Sequence, residues 1–451
     1  MIILCVLSVF PLCPLFLKRK DLPQRTQREV TKDTKGFNKG MVMAISKRYR
    51  LNFLLIIFSV ILFFSSCSKN DDNQYEYFIS KEFISNYSTT YINTLLDFAA
   101  PSFPELNDIK PYITHAVDIY RVVYRTEVQG TEINASGLLC IPGGVGDYPL
   151  LSFQNGTNTV NANAPTEYPG NPSYQFVEII ASMGYAVVIP DYPGFGESAD
   201  ITHPYLIKEP TVRSVVDLLF AVREMDSEEL PGLTINDDVF LAGYSQGGWA
   251  TLAVHEALEK DYSDDFNLKG SVCGAGPYDM NILFGSMTGL TSYPEPVYIG
   301  YIINSYSEYD QFTNPVSDIL KEPYASKLGS LYNGLLNSGQ INEQLTTVIA
   351  DLFTNEFLTG YTTDARYASV RESLTANSIA GWKTSVPLYL IHGGGDTSVN
   401  PITTESIYDS MILAGTSAQT ITKEILPGLD HGDAVVPAMI KGLKFFMNPG
   451  R

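Results

Sequence analysis

The stretch FLAGYSQGGWATLA at 240–253 carries one serine, Ser245, between Gly243 and Gly247. An apolar, strand-like run ends at Gly243, and an alanine-rich helical pattern begins at Gln246. Glycine-x-serine-x-glycine at a strand-to-helix junction marks a hydroxyl held exposed on a turn too tight for side chains on its flanks. The following helix points its first N–H groups and its positive end at whatever reacts there. That setting suits nucleophilic attack on a carbonyl better than it suits a serine that only caps a helix.

A serine hydroxyl needs a base, and the base needs an acid to orient it. On an elbow of this kind both partners follow the serine, the acid first. The chain has five histidines. His115 and His203 precede Ser245, His255 lies along the helix after it, and His392 closes an apolar run. His431, in the glycine-containing EILPGLDHGDA, is the expected base. Asp396, after three glycines in VPLYLIHGGGDTSVNP, is the expected acid, while Asp430 and Asp433 beside the histidine read as loop-shaping. A tetrahedral intermediate also needs donors for its oxyanion. The N–H of Gln246 is one, and the N–H of Gly156 or Thr157, in FQNGTN, is the other; the sequence leaves that pair open. DYPGFGES at 191–198 reads as a turn beside the site.

These loops must be carried by regular elements. HAVDIYRVVYRTEV and INASGLLCIP alternate like a hairpin. YPLLSFQNG, YAVVIPDYPG, DVFLAGYS, LKGSVCGAG, VPLYLIHGG and ITKEILPG read as strands. Between them FVEIIASMG, TVRSVVDLLFAVREM, QGGWATLAVHEALEK and AVVPAMIKGLKFFM read as helices, the second with Val212, Val215, Val216, Leu219 and Val222 on one stripe. Continuous apolar strands alternating with helices imply a mostly parallel sheet covered on both faces, an α/β fold. The core is expected over 111–276 and 381–451. Residues 277–380 interrupt the alternation with helical patterns only, such as INEQLTTVIADLFTNEFLTG, and are too many for a loop. They are expected to form a helical cap, rich in tyrosine (Tyr293, Tyr298, Tyr301, Tyr306, Tyr309, Tyr324 and Tyr332).

At 451 residues, the chain carries 30 Lys and Arg against 49 Asp and Glu, a net charge of −19. Residues 1–66 hold 11 basic and 3 acidic side chains, leaving 19 and 46, or −27, for the rest. A body that acidic repels nucleic-acid phosphates. Five cysteines are too few for a disulfide framework at this length. Cys140 and Cys273, in apolar runs, are expected to be buried thiols. No metal-ligand spacing of His, Cys and Asp is present.

The amino end reads as an address. Lys47, Arg48 and Arg50 precede an apolar run of 14 residues at 51–64, then Ser65, Ser66 and Cys67. The run is short for a membrane span and has the layout of a secretory signal. Ending in cysteine, residues 41–66 resemble a bacterial lipoprotein signal, which implies lipidation at Cys67. The SKNDDNQ that follows resembles an outer-surface export tag. Residues 1–40 are read as an upstream extension from a misplaced start, and 67–110 as a tether with a first helix.

FQNGTN, GYAVVIPDYPGFGES, HPYL at 203–206, GYSQGGWA and AGPYD together resemble the secreted-lipase branch of the α/β-hydrolase superfamily, the lipase-A-like enzymes and their bacterial esterase relatives. The likeness spans nearly all of 110–447; Asn155 departs from it, standing where relatives often have histidine. The resemblance implies an α/β-hydrolase fold with a cap inserted before the acid-bearing strand, carboxylic ester hydrolysis and no cofactor. The expectation is an esterase or lipase, a monomer, lipid-anchored at the outer membrane on its cell-surface or periplasmic face. The alternatives are a serine aminopeptidase or amidase, with Glu308, Asp310 or Glu356 binding an ammonium, or an inactive surface-binding lipoprotein.

Overall fold

The computed structural model describes residues 75–225 and 228–447. The expected upstream extension, signal and lipidated Cys67 lie outside them. Nine strands form one sheet: β1 (Phe78–Tyr87), β2 (Val117–Val128), β3 (Thr131–Pro142), β4 (Gly146–Gln154), β5 (Ala186–Pro190), β6 (Leu233–Tyr244), β7 (Asn267–Gly274), β8 (Leu388–Gly393) and β9 (Ile421–Leu426). Their spatial order is β1-β2-β3-β5-β4-β6-β7-β8-β9. The first three pair antiparallel, as does β3 with β5, and every later pairing is parallel. β2 and β3 form the expected hairpin, closed by Gln129 and Gly130, both at positive φ (49° and 76°).

Successive strand residues feed opposite cores, because side chains alternate across a sheet. Leu150, Val188 and Leu390 belong to one cluster, with Trp249, Val215 and Leu219 from the helices Lys208–Arg223 and Gln246–Lys260. Leu151, Val187 and Ile391 belong to the other, with Ala438, Leu443 and Phe446 from the helix Val435–Met447. Both faces of the parallel strands are therefore dry, which is why those strands read as unbroken apolar runs. Cys140 and Cys273 are buried free thiols.

Three expectations need correction. The segment read as a tether contains β1; only its end residues Phe78 and Tyr87 are buried, so this edge strand lacks an apolar signal. The helix read after it is present as Thr89–Ala99, N-capped by Ser88, whose Oγ accepts from Tyr91 N at 3.2 Å. The helix Ile402–Leu413 was not anticipated. Finally, the long helical pattern at 341–360 is not one helix. It breaks into Ser338–Asn342, Ile349–Leu352 and Asn355–Gly360, the last begun by Thr354, whose side chain accepts from Phe357 N.

Candidate active site

Ser245 sits between β6 and the helix Gln246–Lys260 with φ 61° and ψ −124°, a conformation that side chains adopt only under constraint. The constraint is visible in its flanks. A Cβ on Gly247 would lie 1.8 Å from the Gln154 carbonyl oxygen, and one on Gly243 would lie 2.3 Å from that of Gly247. Only hydrogen fits at both positions. Ser245 N donates to Gly274 O at 2.8 Å, pinning the elbow to the adjacent strand β7.

His431 lies in the loop after β9, and Asp396 in the loop after β8. Ser245 Oγ and His431 Nε2 are 2.9 Å apart, and His431 Nδ1 is 2.5 Å from Asp396 Oδ2. The two loops approach closely because Gly393, Gly394 and Gly395 carry no side chains: Gly394 N donates to Leu426 O at 2.7 Å and Gly395 N to Leu429 O at 2.8 Å. A Cβ on Gly393 would meet Leu429 O at 2.5 Å. Tyr244 OH donates to His431 O at 2.8 Å, and Asp433 N donates to Asp430 Oδ1 at 2.7 Å. Asp430 thus shapes the loop, as expected, and Asp396 is the carboxylate at the imidazole.

Asp396 is buried and saturated with donors. Oδ1 accepts from Ser398 N and Val399 N, each at 2.9 Å. Oδ2 faces His431 and also His392 Nε2, at 3.1 Å. Burial pushes this carboxyl up; hydrogen bonds from His392 and His431, the His431 charge and Val399 N–H outweigh that and hold it at about 2. His392 was passed over as a strand end; its contact with Asp396 depends on the loop after β8, which spacing alone does not give.

Gln246 and Gly156 flank the serine. A Cβ on Gly156 would lie 3.8 Å from Ser245 Cβ, and Gln246 opens the helix, where N–H groups have no intrahelical acceptor. Thr157 turns its hydroxyl to Tyr205 OH at 2.9 Å. Asn155 Nδ2 donates to Pro190 O at 3.3 Å, holding the start of this loop to β5. His203, from the HPYL motif, donates Nδ1–H to Pro193 O at 2.7 Å, so its Nε2 accepts from Gln246 Nε2 at 2.9 Å. Burial lowers His203 to about 4 and keeps the ring neutral. Asp191, in the turn at 191–198, accepts from Thr166 N at 2.9 Å and from the hydroxyls of Ser136 and Thr166.

Ser245 and His431 open into a narrow pocket of about 10 Å³, room for one water. Tyr205 and Val399 wall it from the core; Leu283, Met287, Tyr298 and Ile302 wall it from helices within 277–380. A larger cavity of about 30 Å³ lies on the other side of the sheet under Val435–Met447. Its walls, including Phe153, Val272, Leu443 and Phe446, are apolar, and it is not where the chemistry sits.

Most of the tyrosines within 277–380 do not line the pocket. Tyr301 stacks on Tyr205 at 4.2 Å and on Tyr332 at 4.6 Å. Tyr301, Tyr306 and Tyr293 donate to the carbonyls of Asn158, Leu206 and Ser398 at 3.2, 3.1 and 3.1 Å, and Tyr309 donates to Thr202 O. They fasten this segment to core backbone. Ser398 joins the two parts at one residue: its N–H holds Asp396, its carbonyl takes Tyr293, and its hydroxyl donates to Glu295 Oε2 at 2.5 Å. Glu308, Asp310 and Glu356 are exposed and do not line the pocket.

A family model described as secretory lipase matches residues 173–438. The structure is similar to that of a Legionella pneumophila protein described as a hydrolase, at 25% identity and TM-score 0.73 over 82% of this chain and 98% of that one. It is also similar to the rice cell wall degrading esterase LipA from Xanthomonas oryzae, at 23% identity and TM-score 0.70 over 83% and 99%. Candida antarctica lipase A in its closed state gives 16% identity and TM-score 0.58 over 84% and 85%. The last two likenesses speak to fold alone. No curated protein sequence matches. The family match runs through the elbow, the acid loop and the histidine loop, and on it the chain belongs to the secretory lipase family: it has the α/β-hydrolase fold and is a carboxylic ester hydrolase.

Proposed function

We propose that Ser245, His431 and Asp396 hydrolyse carboxylic esters through an acyl-enzyme. The hydrogen-bonded chain from Ser245 Oγ to His431 to Asp396 carries this reading. His431 Nε2 takes the serine proton as Oγ attacks the carbonyl carbon. The oxyanion receives the N–H of Gln246 and that of Gly156 or Thr157. Collapse expels the alcohol, which takes its proton from His431. Water, deprotonated by His431, then releases the carboxylic acid and restores Ser245. Asp396 stays ionised throughout and orients the ring.

Residues 277–380 act as a cap over this site, set on a core of 111–276 and 381–451; the support is that Leu283, Met287, Tyr298 and Ile302 share a pocket with Ser245. The secretory family groups the chain with exported enzymes. Attachment to the outer membrane through lipidated Cys67, with the enzyme a monomer, rests on the layout of 47–67. A fluorophosphonate should label wild-type enzyme at Ser245 and leave Ser245→Ala unlabelled, with ester turnover lost in parallel. Turnover surviving in Ser245→Ala would end this mechanism. Cys67→Ser should abolish detergent partitioning and acyl labelling; acylation that persisted would remove the anchor.

A further inference from the structure

His392 is wholly buried at the end of β8, on the same face as Leu390, and it is clamped at both ring nitrogens. Nε2 lies 3.1 Å from Asp396 Oδ2 and 3.0 Å from Val399 O. Both are acceptors, so Nε2 carries a hydrogen. Nδ1 lies 2.7 Å from Thr404 Oγ1, a fully buried hydroxyl on the helix Ile402–Leu413. The ring therefore bridges a rigid helix to the acid loop, and its one donor points at the carboxylate oxygen that His431 also uses.

We propose that His392 is a positioning residue for ester hydrolysis, fixing Asp396 Oδ2 so that the carboxylate holds His431 in line with Ser245. The two oxygens of Asp396 are treated differently by the backbone. Ser398 N and Val399 N anchor Oδ1 only. The terminal torsion of an aspartate is broad, so anchoring one oxygen leaves the other free to swing. Oδ2 has two partners: His431, whose other ring nitrogen is committed to the reacting Ser245 hydroxyl, and His392, whose other bonds, to Thr404 Oγ1 and Val399 O, lie away from the reacting atoms. Removing it leaves His431 to orient the group that is meant to orient His431. The same donor helps to keep a buried carboxyl ionised. The inference rests on the assignment of Asp396 as the acid.

The test compares His392→Leu, which has no donor, with His392→Gln, which retains an N–H, on a p-nitrophenyl ester, with melting temperature read alongside. Displacing a catalytic group by about an ångström costs on the order of a hundredfold, so His392→Leu should lower kcat by about 10- to 100-fold with KM within about twofold. His392→Gln should recover much of the loss. In an Asp396→Asn background His392→Leu should change kcat less than about twofold, because the residue acts through Asp396. A folded His392→Leu with wild-type kcat overturns the proposal, and so does a loss that adds in full to that of Asp396→Asn. Glutamine no better than leucine overturns it too. Should His392→Leu fail to fold, nitrogen NMR of histidine-labelled wild-type enzyme decides: a protonated His392 Nε2 whose resonance moves in Asp396→Asn supports it, and an unprotonated Nε2 ends it. Full activity in Asp396→Asn alone is a separate failure, that of the triad assignment.

Discussion

The two walls of the pocket are built by different physics. The wall bearing Ser245, Asp396 and His431 is made of strand ends, and backbone geometry fixes each position: register, glycine clearance and N–H bonds to loop carbonyls. The opposite wall is made of the helices Met280–Thr288 and Pro296–Glu308, which pack into the same apolar cluster as the core, with tyrosine hydroxyls of this segment also donating to core carbonyls. One wall tolerates almost no added atom. The other is side-chain packing, supplemented by hydrogen bonds each worth about 1 kcal/mol. The two walls meet at Ser398, whose N–H holds Asp396 while its carbonyl and hydroxyl bind Tyr293 and Glu295.

The largest effect that would break this division is at the serine. Ser245→Ala should lower kcat by about a million-fold, with Asp396→Asn impaired less, as in other serine hydrolases where the triad acts as a unit. Loss of comparable size from any residue of 277–380 would mean that the helical wall also takes part in bond-breaking. A glycine pair tests the packing. Gly247→Ala forces a Cβ to within 1.8 Å of Gln154 O and should cost about 3 kcal/mol or more in denaturant unfolding. Gly285→Ala, on the helix Met280–Thr288, meets only Tyr361 Oη at 3.6 Å and should be neutral or stabilising by up to about 1 kcal/mol.

The seam between the walls has a titrating group. His203 packs against Tyr192 of the core and Tyr301 of the helical segment, and is held neutral down to about pH 4. The unfolded chain binds that proton first, near 6.5, so its contribution to stability is intact above 6.5 and is lost as pH falls towards 4. Melting curves should show this as a loss on the order of 3 kcal/mol that His203→Gln lacks. Asp191, raised to about 6 by burial despite its hydroxyl donors, moves stability the opposite way over the same range, so the difference between the two proteins is the quantity to read. Smaller still, Ile302→Ala should shift preference along a series of nitrophenyl esters about tenfold towards longer acyl chains while acetyl ester turnover holds. Tyr306→Phe, which strips a donor from Leu206 O, should lower stability by about 1 kcal/mol and leave kcat alone.

The same division decided what the sequence disclosed. The elbow, Asp396 and His431 were readable because strand ends and glycines impose their own local pattern, and the buried parallel strands announced themselves as apolar runs. β1 was not, because only the ends of FISKEFISNY are buried and an edge strand needs little apolar surface. The helical segment was legible as helical but not in its breaks. Leu345, Val348, Ile349, Leu352 and Phe353 keep helical spacing across a chain that actually turns at 343–348 and again at Thr354. Nor did tyrosine content disclose its use. Tyr301 and Tyr306 are buried fasteners, a role that depends on which carbonyls lie opposite. His392 escaped because its partner is set by a loop conformation after the strand.

Ser245 and His431 touch across 186 residues of chain, and Asp396 stands 35 residues before the histidine. Contacts that distant form late, since the loop must close before the pairing rewards it. Until β8 and β9 have joined the sheet, the serine hydroxyl has no base within reach and is an ordinary alcohol. An unfolded chain therefore carries no activated serine. Reactivity requires β8 and β9 to be in place, because their loops carry the acid and the base.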